Sequence, residues 1–234
     1  MKDDGKPEKQ IRAFYTKDFI RVYQAYSNDI ADTALKHGTF VSPPFNMTRM
    51  TWIKPSFLWM MYRSGWGMKD SGQKRILAID LTHEGFSEII EQGILNNHEN
   101  MKINNNIEEW KFKIKKSDVV IQWDPERDIL LNKLNFRTIQ IGLRNMAVQK
   151  YCTEWIINIT DITEFSQKIK SLIDSDETES AKKLLPDENN YEIKKTKFNA
   201  ILGKRSSIAL NFKINSLPIQ IFILSNCLIA LLLI

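Results

Sequence analysis

FIRVYQAYSNDIADTALKHG, residues 19–38, changes its hydrophobic period halfway along. Phe19–Tyr26 is rich in β-branched and aromatic residues and roughly alternates, which predicts a strand. Ser27 stands where an N-cap belongs, Asp29 falls in the first turn, Lys36 and His37 fall in the last, and Gly38 follows. Those signals predict a helix over Asn28–His37. Acids suit the positive end of the helix dipole, bases the negative end, and glycine the left-handed cap.

Outward from this unit the chain keeps mixing periods. Residues 1–10 read as a disordered leader. Val41–Asn46 reads as an extended turn. A short helix is expected from Pro55 at its first position to Ser64, with Gly65 as its C′ residue. It is apolar on nearly every side until Tyr62 and Arg63, so it should be deeply buried. After a polar loop over Gly67–Lys74, Arg75–Leu81 (RILAIDL) reads as a buried strand and Glu84–Gln92 as a helix. Asn96–Asn106 is asparagine-rich and reads as a surface loop. Strands follow at Glu109–Lys115, Val119–Trp123, Arg137–Leu143 and Trp155–Ile159, with a turn at Asp124–Pro125. Asp161 with Glu164 resembles a capping box that opens a helix to about Ile173. Residues 174–190 are polar and acidic, and read as a linker. Strands that cluster late, instead of strictly alternating with helices, predict an α+β fold. The expected architecture is a single domain over residues 11–203, with a mostly antiparallel or mixed sheet and flanking helices. No GxGxxG or GxxxxGK[ST] follows a strand, so neither a Rossmann nor a P-loop reading is supported.

The net charge is +5, and Lys204, Arg205 and Lys213 supply three of those charges. That balance gives little support to a broad nucleic-acid-binding face, although a local basic cleft stays compatible with it. Cys152 and Cys227 lie far apart, which argues against a disulfide framework and for a reducing compartment. His37, His83 and His98 show no metal-ligand spacing, so no structural zinc site is expected, and no metal-binding residue is assigned. The polar N-terminus has no apolar segment of the signal-peptide kind. Residues 216–234, SLPIQIFILSNCLIALLLI, carry no charge. Their length is close to the ~20 residues that span a bilayer as a helix, so the tail (residues 204–234) reads as a C-terminal membrane anchor. Pro218 and Asn226 interrupt it, and a buried terminal element or a gene-model artefact would look the same. The expected localisation is cytoplasmic or nuclear, with or without that anchor.

Residues 49–66, RMTWIKPSFLWMMYRSGW, hold three of the six tryptophans. Arg49, Lys54 and Arg63 supply positive charge there, and Trp59 and Tyr62 supply flat rings. Arginine pairs with phosphate through two parallel hydrogen bonds, and rings stack on bases, so the mixture suits a nucleotide-like anion. A buried helix with its arginines paired elsewhere is the competing reading. In QWDPERD, residues 122–128, Asp124 and Glu126 are the candidates for a general base, a charge-stabilising carboxylate or a Mg²⁺ ligand, unless the turn is merely solvated. Tyr23 and Gln24 close the strand IRVYQAY and are candidate pocket residues, on opposite faces by alternation. In RTIQIGLR, residues 137–144, Arg137 and Gln140 are polar exceptions. A buried Arg137 would have to be an ion-pair hub or an anion ligand.

Together the stretches IRAFY (11–15), IRVYQAYSNDIADTAL (20–35), FVSPPF (40–45), the 49–66 segment, IQWDPERD (121–128), RTIQIGLR (137–144) and LLPDENNY (184–191) resemble the family called domain of unknown function 4291. The resemblance runs from about residue 10 to Gly203 and implies no particular activity. VYQAYS followed by a helix and GTF is also similar in layout to the opening of ADP-ribosyltransferase-like domains. In those domains a strand-borne His or Arg contacts NAD; Gln24 stands near that place here, a departure from the pattern. That likeness implies a late Glu or Gln steadying the oxocarbenium charge on the ribose, a role Glu126 or Gln140 would fill. The resulting expectation is a nucleotide- or NAD-handling enzyme of the transfer or hydrolysis class. The alternative is a non-catalytic module binding RNA or protein.

Overall fold

A computed structural model of the chain describes residues 8–96 and 107–193. The expected loop at Asn96–Asn106 falls almost entirely outside these residues, and the leader up to residue 7 and the apolar tail fall wholly outside them. No helix among the described residues is long and apolar enough to cross a membrane.

The predicted first unit is present: strand β2 (Ile20–Tyr26) runs into helix α1 (Asn28–His37), and Gly38 ends the helix in the left-handed conformation at φ 70°. Strand β4 (Arg75–Leu81) lies between β2 and β8 (Ile156–Asp161), antiparallel to both. Its near-continuous apolar run follows from being covered on both faces. A second sheet holds β3 (Thr51–Ile53), β7 (Lys133–Leu143), β6 (Val119–Arg127) and β5 (Gly93–Leu95) in that order, antiparallel except for the β5–β6 pair. Among the described residues, backbone hydrogen bonds join the two sheets at one place. Tyr23 N donates to Lys54 O at 2.8 Å, and Lys54 N donates to Tyr23 O at 3.2 Å. Beyond this bridge β2 and β3 part.

One face of both sheets packs on a shared core with α1 and α3 (His83–Gln92), through residues such as Val22, Ile79, Ile121, Ile141, Ala31 and Phe86. A smaller core on the other face joins Tyr23, Ile76 and Ala78 to α2 (Phe57–Ser64), α6 (Thr163–Asp174) and α7 (Thr178–Leu184). The opposite face of the second sheet therefore has room for polar side chains. A two-stranded pair, β1 (Arg12–Ala13) with β9 (Asn189–Asn190), closes one edge. This is a single α+β domain with mixed and antiparallel sheets, as expected.

Four local expectations are corrected. Glu109–Lys115, expected as a strand, belongs to helix α4 (Ile107–Lys116). Its period-2 pattern is outweighed by charge: acids sit in the first turn, lysines in the last, and Glu109–Lys113 pairs at 2.7 Å across one turn. The turn expected at Asp124–Pro125 does not form. β6 runs on to Arg127, with a bulge between Pro125 and Arg127 where a proline is tolerated. The chain reverses instead at Asp128, whose Oδ1 accepts from Asn132 N at 2.8 Å. Residues 174–190 are not a linker, since they supply α7, with Ala181 fully buried, and β9. The expected capping box at Asp161 is absent; its carboxylate accepts from Thr163 N and pairs with Arg75. Helix α5 (Met146–Lys150) and the π turn Tyr151–Trp155 that follows it have no clear signal in the sequence.

Candidate functional site

Helix α2 starts two residues later than expected, at Phe57 instead of Pro55, because Ser56 is the N-cap. Its Oγ accepts from Trp59 N at 3.1 Å and donates to Glu126 Oε1 at 2.9 Å. Gly65 closes the helix at φ 55°. Phe57, Met60 and Met61 are buried, as expected, whereas Tyr62 is 41% exposed. Trp59 and Tyr62 stack at 5.2 Å between ring centres and 25° between planes. The Arg127 guanidinium lies 3.6 Å from the Tyr62 ring centre and 5.4 Å from that of Trp59, in cation–π range of both.

These rings form one wall of a cleft of about 1030 Å³ that opens where β2 and β3 part. Gln24, Arg49, Lys54, Trp59, Tyr62, Arg63, Asp124 and Gln140 all line it. Eight of the residues singled out from sequence thus meet in one place. Among the described residues, none of Arg49, Lys54, Arg63 or Arg127 forms an ion pair.

The floor carries a polar network. Gln24, 2% exposed, accepts from Tyr151 Oη at 2.8 Å through Oε1 and donates from Nε2 to Thr51 Oγ1 at 2.6 Å and Tyr26 Oη at 2.9 Å. It fills the gap between the sheets and has spent its amide on neighbours. Lys54 is 7% exposed and donates to Trp52 O at 3.1 Å. Burial and the nearby Arg63 guanidinium lower its pKa to about 7, against the pull of Asp124. Asp124 accepts from Gln140 Nε2 at 2.5 Å and Gln122 Nε2 at 3.2 Å. Burial raises its carboxyl above the usual range, opposed by those amides and by Arg63 and Arg137.

Three expected residues lie elsewhere. Tyr23 faces the smaller core, with its hydroxyl buried and without a hydrogen-bond partner among the described residues. Glu126, expected beside Asp124, is turned away by the bulge in β6 and lines a second cavity behind α2. Arg137 is not buried: its side chain is 42% exposed, lies 4.0 Å from Glu8 and donates to Trp123 O at 3.2 Å. Alternation along β7 puts it on the strand face opposite Gln140. Sequence reading missed Gln122, Thr51 and Arg127 as cleft residues. The signal for Arg127 was Pro125 inside a strand-like run, which marks a bulge. Among the described residues, no group of three or more His, Cys, Asp or Glu gathers as metal ligands would.

A search among curated proteins finds no match. Residues 10–191 match the family model described as Domain of unknown function (DUF4291). That span is most of the chain and includes every residue that lines the cleft. The chain therefore belongs to the domain of unknown function 4291 family.

Proposed function

We propose that the cleft binds a nucleotide or NAD and that the protein transfers or hydrolyses a group on it. The observation that carries this reading is the set of four cationic side chains around one cleft, none with an ion-pair partner among the described residues, beside a stacked ring wall. Of the four, Arg127 is half-buried, and Arg49 and Arg63 stand exposed at the rim. Lys54 is buried, and a cation enclosed by protein costs free energy unless a counter-charge meets it. A phosphate supplies that charge, and the guanidinium groups of Arg49 and Arg63 match its geometry. Tyr62, exposed and backed by the buried Trp59, offers a ring face for a base, beside the Arg127 guanidinium. Asp124 is the carboxylate on the reaction side, with Gln140 holding one of its oxygens in place. With its raised pKa it suits proton transfer to or from an attacking hydroxyl or water, or charge stabilisation on a ribose.

The test is calorimetry of the full chain with ATP, NAD and a short RNA. Arg49→Ala and Arg63→Ala should each weaken nucleotide binding about ten- to a hundredfold, the range for a charge-assisted hydrogen bond. Asp124→Asn should keep binding and lose turnover. Folded variants that bind all three ligands as the parent does would sink the proposal. Steeply salt-dependent RNA binding without turnover of any nucleotide would favour a non-catalytic RNA-binding module instead.

A further inference from the structure

Behind α2, on the side away from the cleft, lies a second cavity of about 300 Å³. This is the low end of the size range of small-molecule sites. Its walls are mostly apolar, with Phe57, Leu58, Phe136 and Leu185 among them. Two carboxyl groups interrupt that surface. Glu126 is 2% exposed, and its Oε1 accepts from Ser56 Oγ at 2.9 Å and from Arg127 N at 2.8 Å. Its other oxygen, Oε2, is buried with no hydrogen-bond partner among the described residues. Glu188, partly exposed, accepts from Phe57 N at 2.6 Å through Oε1.

Neither carboxyl has an ion-pair partner among the described residues. Two guanidinium groups stand nearby, but both are otherwise engaged. Arg12 donates to the backbone oxygen of Glu188 at 2.6 Å. Arg127 faces Tyr62 and donates to Leu131 O at 3.3 Å. Asp128, also in the wall, holds Asn132, and the nearby Tyr23 hydroxyl is neutral. An enclosed carboxylate without a cation is costly, so the cavity disfavours ionisation of both acids. Desolvation raises both carboxyls, and the neighbouring Glu126 raises Glu188 further, against the pull of Arg12 on each; for Glu188 the rise is large.

We propose that this cavity is a second ligand site, and that it takes a small primary amine with an apolar body, the ammonium resting between Glu126 and Glu188. The apolar wall receives the body, and Glu126 Oε2 gains the donor it lacks. The ammonium carries one charge, so it balances one carboxylate of the pair while the other keeps its proton, and binding displaces one proton into solvent. The site adjoins α2 at Ser56 and shares Arg127 with the cleft, but it does not depend on the cleft's ligand.

The experiment is calorimetry of the full chain with 2-phenylethylamine and with 2-phenylethanol, which has the same body and no charge. The amine should bind at least about tenfold more tightly than the alcohol, a gap of about 1.4 kcal/mol. It should release a proton, seen as a heat that changes between buffers of different ionisation enthalpy. Glu188→Gln should weaken the amine about tenfold or more and leave the alcohol unchanged. Phe136→Ala, at the half-buried wall, should weaken both equally, and it serves if the glutamate variant does not fold. Equal affinity for amine and alcohol, or no amine binding at millimolar concentration, overturns the proposal. Nucleotide binding at the cleft is read separately, so the two proposals fail independently.

Discussion

At the scale of single residues, Lys54 carries the sharpest consequences. Its backbone joins the two sheets, and among the described residues its enclosed ammonium has only the Trp52 carbonyl to receive it. A pKa near 7 means that the free protein holds it about half charged at neutral pH. A bound phosphate raises that pKa again, so anion binding takes up a proton. Nucleotide affinity should therefore be flat well below pH 7 and fall as pH rises above it, about tenfold per unit at most. Lys54→Met should abolish this dependence, and calorimetry in two buffers reads the proton directly. Stability follows the same linkage. The unfolded chain holds the proton up to about 10.5 and the folded one only to about 7, so the unfolded state binds more protons in between. The penalty is full below pH 7 and disappears as pH rises towards 10.5. Lys54→Met should thus melt above the parent at about pH 6 by at least 2–4 °C, the rise that about 1 kcal/mol gives a chain of this size. The gap should close in alkali. Burial of Lys54 was not legible in the sequence, because it depends on two sheets meeting at one bridge. The opposite facing of Tyr23 and Gln24 was legible, because β2 keeps a strict two-residue period.

At the scale of elements, local signals succeeded where one force dominated. Gly38 and Gly65 both end helices in the left-handed region, at φ 70° and 55°. They were readable because few other residues adopt it cheaply. Helix α4 was misread because Trp110, Phe112 and Ile114 alternate as a half-buried strand would, although none is buried. The exposed helix rests on its charge pairs instead. The bulge in β6 had the largest effect on the site. It exchanged Glu126 for Arg127 in the cleft and so altered half of the expected acid pair. Ser56 links these elements, since it caps α2 and holds Glu126 with one hydroxyl. Ser56→Ala should cost about 1–2 kcal/mol in urea unfolding, the value of a lost cap. Gly142 shows why β7 can pass beneath Trp52. A Cβ there would stand 2.7 Å from Met50 Sδ and 3.1 Å from the Trp52 ring. Gly142→Ala should therefore destabilise by about 1–3 kcal/mol through overpacking. It should also weaken cleft binding, because Met50 and Trp52 line the cleft.

At the scale of the whole molecule, the chain's described end holds its beginning. The segment expected to be a linker returns across the fold, and Asn189–Asn190 pairs with Arg12–Ala13. Tyr191 N donates to Ile11 O at 2.8 Å, and its ring stacks on His83 and meets Phe86 edge-on. Glu188 satisfies the Phe57 amide at the first turn of α2. Residues 185–191 therefore tie together β1, α2 and α3, three elements distant in sequence. A sequence window sees only polar residues there, because each contact is made to a partner more than a hundred positions away. Chains ending at Leu184 and at Ile193 isolate this contribution. The shorter chain should lose about 3–5 kcal/mol, from several hydrogen bonds and one half-buried ring, and so melt roughly 6–20 °C lower. The loss should depend on pH with a definite sign. The Glu188 carboxyl titrates well above its ordinary value in the folded chain, so its stabilising share is complete below the unfolded pKa of about 4.5. That share is lost as pH rises through the folded value. The difference in melting temperature between the two chains should accordingly be largest in acid and shrink towards neutral and alkaline pH. A difference that grows with pH would mean that Glu188 is held ionised, with a cation beside it in the folded chain.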